Sequence, residues 1–155
     1  MTVPSNLLLL CCLLGFTACQ PDLVYDQTLK PQEEGWPYNE PLTFDFQVQD
    51  TSLHYEFLLD VSHNRDYPFQ NLYTRITTHF PDQSSQENIV SLELANQIGL
   101  WEGQCKGENC KLTIALQEKA RFNQPGHYQL RFEQHTRQDS LPGINSLRLR
   151  IISPD

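Results

Sequence analysis

Thiols carry the most distinctive chemistry in this 155-residue chain, and their spacing sorts them by fate. Cys19 closes the stretch "LLLLCCLLGFTAC", in which an apolar run from Leu7 to Phe16 turns polar directly after the cysteine. That run is about half of the roughly 20 residues a membrane-spanning helix needs. Its length, and the small Thr17 and Ala18 just ahead of a thiol, match the processing site of an exported bacterial lipoprotein. Cleavage before Cys19 frees an amine, and amine and thiol both accept acyl chains. One chain holds marginally, at about 0.8 kcal/mol per buried methylene, whereas two or more hold firmly. Residues 1–18 are therefore read as a signal peptide and Cys19 as a lipidated mature N-terminus. The alternatives are an ordinary secreted protein cut nearby or a buried N-terminal strand, since no Lys or Arg precedes Leu7 and Phe16 stands where a lipobox usually has Leu.

Cys11 and Cys12 leave with the leader and Cys19 takes lipid, so Cys105 and Cys110 remain. An exported chain folds in an oxidising compartment, where such a pair is expected to form a disulfide. The intervening Lys106, Gly107, Glu108 and Asn109 read as a turn, and so short a ring contributes only about 2 kcal/mol by loop entropy. A zinc pair is the alternative, but it lacks a second pair of ligands at zinc spacing.

Other reactive groups form no motif. His54, His63, His79, His127 and His135 are scattered, without the close pair and third ligand of a metal site. No nucleophile elbow, P-loop, dinucleotide fingerprint or zinc-protease helix is present. Paired carboxylates of the glycosidase kind cannot be read from sequence, because they must flank one scissile bond in space. The expectation is a non-enzyme with no cofactor and no metal. Loop aromatics Trp36, Tyr38, Tyr67 and Trp101 are candidates for a stacking platform for sugar or a partner protein, with plugs at the ends of the core as the bland alternative. The loop "HNRDYPFQNLY" adds Asn71, whose side chain suits a bond to its own backbone, and Tyr67-Pro68, which presets an extended turn. Trp36, Tyr67, Asn71, Trp101 and Arg137 make up the candidate interaction residues.

The elements that must position these groups alternate with a period of two. "LTFDFQVQ", "LHYEFLLDV", "LYTRITTHF", "IVSLELA", "KLTIALQ", "HYQLRFEQ" and "NSLRLRIIS" each place apolar residues on one face and are separated by turn-forming segments. About seven such strands satisfy their apolar faces best as an all-β antiparallel β-sandwich, immunoglobulin-like or jelly-roll-like, with a closed barrel as the alternative. Residues 19–41 contain Pro21, Pro31, Pro37 and Pro41 and read as an extended tether that becomes ordered around Trp36. Residues 42–155 are the sandwich domain.

A net charge of −8 speaks against nucleic acid, which demands clustered Lys and Arg, and against electrostatic adhesion to anionic lipid. The acyl chains on Cys19 are then the membrane contact.

An ordered series of fragments resembles a known family. From Trp36 it passes through "YPFQNLY", "THFPD" and "LELANQIGLWEGQ" to "GHYQLRFEQHTRQDSLPGI" and "LRLRI", covering essentially the whole mature chain. It is similar to the gliding-motility lipoprotein GldH family of the Bacteroidota. Where that family usually reads Met-Arg, this chain has Thr136-Arg137, and the Cys105 to Cys110 segment takes the place of a Gly-rich loop. The resemblance implies a periplasm-facing outer-membrane lipoprotein, without catalytic residues, partnered with other gliding and type IX secretion envelope proteins. A carbohydrate-binding envelope lipoprotein using Trp36, Trp101 and Tyr67 is the rival expectation.

Overall fold

The computed structural model describes residues 22–153, so the expected signal peptide 1–18 and the expected lipidation site Cys19 lie outside the described residues. Eleven strands follow in order: β1 Asp22–Leu29, β2 Trp36–Pro37, β3 Leu42–Val48, β4 Tyr55–Asn64, β5 Asn71–His79, β6 Ser85–Glu93, β7 Gln104–Lys106, β8 Asn109–Ala120, β9 Gly126–Gln134, β10 Ser140–Leu141 and β11 Ile144–Ser153. A five-stranded sheet in the order β1-β11-β4-β8-β7 faces a four-stranded sheet in the order β3-β9-β5-β6, and β10-β2 forms a small third sheet. Every pairing is antiparallel.

The period-two pattern explains this directly. Along β3, Leu42, Phe44, Phe46 and Val48 are buried, while Asp45 and Gln47 between them are exposed. Along β11, Leu147, Leu149 and Ile151 go inward and meet Leu59 and Val61 of β4. Side chains from both sheets share one core, in which Phe44 and Phe132 meet edge to face at 5.5 Å and Phe46 lies against Phe57 at 5.8 Å. The architecture is the expected all-β sandwich, and all seven alternating runs are strands.

Residues 22–29 correct the tether reading. They form β1, paired with β11 from Asp22↔Ser153 to Leu29↔Leu147. Two further contacts hold this edge strand: the Tyr25 ring sits 5.7 Å from Phe46, and Asp26 accepts a two-pronged hydrogen bond from Arg148, with Nε–Oδ1 at 2.6 Å. Among the described residues the first of the prolines that suggested a tether is Pro31, after the strand has ended. Besides the seven alternating runs, the eleven strands comprise β1 and the short β2, β7 and β10, which at two or three residues are too short to show alternation.

Cys105 and Cys110 are opposite one another across the β7–β8 hairpin and joined by a disulfide. Gly103, at φ +78°, lets the chain approach β8 so closely that any Cβ there would collide with the Lys111 carbonyl oxygen. The hairpin is pinned to the sheet on both sides of β7.

Candidate functional site

β1 runs the length of the sandwich and so defines its two ends. Asp22 lies at the end that holds Ser153 and Glu56, and Leu29 at the end that holds Leu147 and Val61. The two ends of β1 are roughly 24 Å apart at ~3.4 Å per residue. The candidate interaction residues collect at the end far from Asp22.

Two of them lie inside the protein. Trp36 is 0% exposed, packed in the core, with its indole N–H donating to the Glu40 carbonyl at 2.7 Å. Tyr67 is 4% exposed; its hydroxyl donates to the Asn71 carbonyl at 3.1 Å, and burial pushes its phenol well above the ordinary range. Neither offers a face for stacking, which corrects the platform reading and leaves them as plugs of the core. Trp101 is half-buried, its indole N–H bound to the Arg65 carbonyl at 3.0 Å and its ring 4.5 Å from His63.

The other two, Asn71 and Arg137, line one concavity of ≈ 610 Å³ with Phe69, Tyr73, His135 and Gln138. Asn71 does not bond its own backbone; its amide N donates to Ser91 Oγ at 2.7 Å, tying β5 to β6. Arg137 rides on a loop made rigid by the buried Gln134. The Gln134 amide donates to the Gln138 carbonyl at 2.7 Å and accepts from the Thr136 backbone N–H at 2.9 Å, while the His135 N–H reaches the Tyr73 carbonyl at 2.8 Å. Tyr73 is 48% exposed and Phe69 38%. The result is an aromatic shelf with amide and guanidinium groups along its rim, held by a pre-formed loop.

Sequence reasoning missed Tyr73 and Phe69. A signal for Tyr73 existed, since on β5 the inward set is Leu72, Thr74 and Ile76, so an aromatic at 73 falls out of phase on the solvent face. Two more exposed apolar groups stand at the same end. Asn96 folds "NQIGL" by accepting the N–H groups of Ile98 at 3.1 Å and Leu100 at 3.0 Å, and this presents Ile98 and Leu100 at 79% and 60% exposure.

Beneath this end, His63 is fully buried against Trp101 and Tyr67, with Nδ1 donating to the Asn64 carbonyl at 2.8 Å and Nε2 without a partner. Burial lowers its pKa from 6.5, outweighing the raising effect of the Asn64 hydrogen bond. A base held neutral this way stabilises the fold fully above the unfolded value and loses that contribution as pH falls from about 6.5 toward the lower folded pKa. Denaturation midpoints measured across that interval should fall with pH in the wild type, and a His63→Leu variant should show a flatter profile.

The outer face of the five-stranded sheet carries a charge network around the buried Asp60. Its carboxylate accepts from Thr113 Oγ1 at 2.6 Å and Arg150 Nη2 at 2.8 Å, and pairs with Lys111 Nζ at 3.1 Å. Arg148 approaches to 3.7 Å while holding Asp26 of β1. Burial alone would raise the Asp60 carboxyl, but hydrogen bonds from Thr113, Arg150 and Lys111 outweigh it and hold it below its ordinary value. The network is a staple that links β1, β11, β4 and β8. Among the described residues, no group of three or more His, Cys, Asp or Glu is placed to hold a metal, and no helix is long and apolar enough to cross a membrane.

Fold and site together define an all-β sandwich module with a contact surface of aromatic, amide and guanidinium groups. The chain belongs to the GldH lipoprotein family, whose model matches residues 23–151. It is 26% identical over 144 residues to the gliding motility lipoprotein GldH of Flavobacterium johnsoniae, covering 92% of this chain and 88% of that one. It is 22% identical over 147 residues to a GldH homolog of Christiangramia forsetii, covering 90% of each. No solved structure matches it.

Proposed function

We propose that this protein is a non-catalytic assembly component of a gliding-motility apparatus, coupled to type IX secretion and facing the periplasm from the outer membrane, to which acyl chains on Cys19 hold it. The observation that carries the reading is the rim of Tyr73, Phe69, Asn71 and Arg137. Exposed aromatics and Arg in a shallow depression are the composition of protein–protein hot spots. Its position supports the reading too. Cys19 is three residues from Asp22, within about 10 Å of chain, so the rim stands at the end of the module turned away from the anchor, where envelope proteins rather than lipid meet it.

Tyr73→Ala and Arg137→Ala expressed in a gliding host test this. Both should leave abundance and folding unchanged, abolish or sharply reduce cell spreading, and lose crosslinks to neighbouring envelope proteins. Normal spreading and unchanged crosslinks in both variants would count against it. The exposed Tyr73 ring favours a second reading, binding of carbohydrate, which a glycan array with Tyr73→Ala as control separates from the first.

A further inference from the structure

The sandwich is closed along one side and open along the other. Tyr25 of β1 covers Phe46 of β3 on the closed side. On the opposite side β6 and β8 flank a groove of ≈ 710 Å³, lined by Ile76, Phe80 and Val90 from one sheet and Ile114, Leu116 and Phe122 from the strand and loop facing it. These inward-facing side chains stay half-exposed, whereas their counterparts Leu149, Leu59 and Phe44 are sealed. The core lacks a cover there.

A second feature coincides with it. β6 is the outermost strand of its sheet, nine residues long, and pairs with β5 without interruption from Asn71↔Glu93 to His79↔Ser85. Its outer backbone edge faces no strand among the described residues. Natural edge strands are usually blunted by charged side chains, above all Lys, by Pro, by a bulge or by brevity; "SQENIVSLE" has no Lys, no Pro and no bulge, and its charges are Glu87 and Glu93. It carries Ile89 at 54% exposure.

We propose that β6 is a docking edge that receives a β-strand from a partner protein, apolar on alternate residues and basic on the others. An added strand would extend the four-stranded sheet through backbone hydrogen bonds, and its alternate side chains would drop into the groove. Charge selects the partner. β6 bears Glu87 and Glu93 with no Lys or Arg, on a chain of net charge −8, with Glu87 already shared with Arg75 of β5 at 3.2 Å. A second copy would bring acidic edge against acidic edge, whereas a basic strand is complementary. This groove lies on a different side from the Tyr73–Arg137 rim and meets it where Asn71 bonds Ser91, so the groove variants Asn88→Lys and Val90→Lys and the rim variants Tyr73→Ala and Arg137→Ala test the two surfaces apart.

The test uses the mature protein in detergent and a probe peptide of alternating Lys and Val matched in length to β6. Binding should slow amide exchange at residues 85–93. Methylating the peptide backbone nitrogens should abolish binding, and replacing Lys by Glu should weaken it by about tenfold or more. Asn88→Lys, at an exposed position on the groove side, should weaken it about tenfold, as should Val90→Lys. If these variants fail to fold, the methylated and unmethylated peptides on the wild-type protein still decide. No binding, equal binding of the methylated or the Glu peptide, or protection elsewhere on the molecule would overturn the proposal. So would concentration-dependent protection of 85–93 without peptide, which would assign the edge to a second copy.

Discussion

Trp36→Ala should lower the unfolding free energy by about 3–5 kcal/mol, the usual cost of emptying a large buried aromatic site. For a domain of this size that is a fall of about 10–20 °C in melting temperature. The indole is fully enclosed and its N–H satisfies the Glu40 carbonyl, so the variant loses packing and also strands an acceptor. β2 and β10, which meet at Trp36↔Leu141, should detach first, because they pair over two positions and Trp36 is one of the two side chains that root them in the core. Urea denaturation with amide exchange at Trp36, Ser140 and Leu141 checks both parts. A surface stacking residue behaves in the opposite way. Tyr73→Ala should leave stability nearly unchanged and alter only binding, so the two aromatics can be told apart by which measurement moves.

The second large effect belongs to Asp60. Asp60→Asn leaves Arg150 and Lys111 facing a neutral amide, with the Arg150 Nε already buried and unpartnered. Breaking a buried pair costs about 3–5 kcal/mol, and the partly exposed Lys111 and Arg148 recover some solvation, which brings the expectation to about 2–3 kcal/mol. The acid limb of the stability curve gives an independent readout. With its folded pKa held below 3.8, the wild-type carboxylate stabilises the fold above that value and loses the contribution as pH falls from about 3.8 toward the lower folded pKa. Asp60→Asn should be less stable at neutral pH and should lose less on acidification. A variant as stable as wild type at pH 7 would show that the network is not a staple.

The long alternating strands were legible because one face of each had to be buried, and a period of two leaves no other assignment for runs such as "LTFDFQVQ" or "NSLRLRIIS". β1 was not, because an edge strand buries little: of its eight residues only Tyr25 and Leu29 are half-buried, and it is held by a backbone ladder and the Arg148 bridge from a strand more than a hundred residues away. The site divides along the same line. Asn71 could be picked as a polar residue in a constrained loop and Arg137 from the family resemblance, and the structure brings them together. Trp36 and Tyr67 share their loop context but point inward, and nothing in a single sequence states on which side of a loop a ring will lie. Tyr73 did carry a trace, an aromatic out of phase in an otherwise regular strand.

The orientation of β1 also has a mechanical meaning. Under the proposed anchorage, a pull from the membrane enters at Asp22 and is directed along the strand, away from the rim where a partner would grip. Its seven register pairs with β11 are then loaded together in shear, rather than unzipped one at a time from a free end. The Asp26–Arg148 bridge and the Tyr25–Phe46 contact lie on the same line of force. A module attached in this way would resist traction with a whole strand.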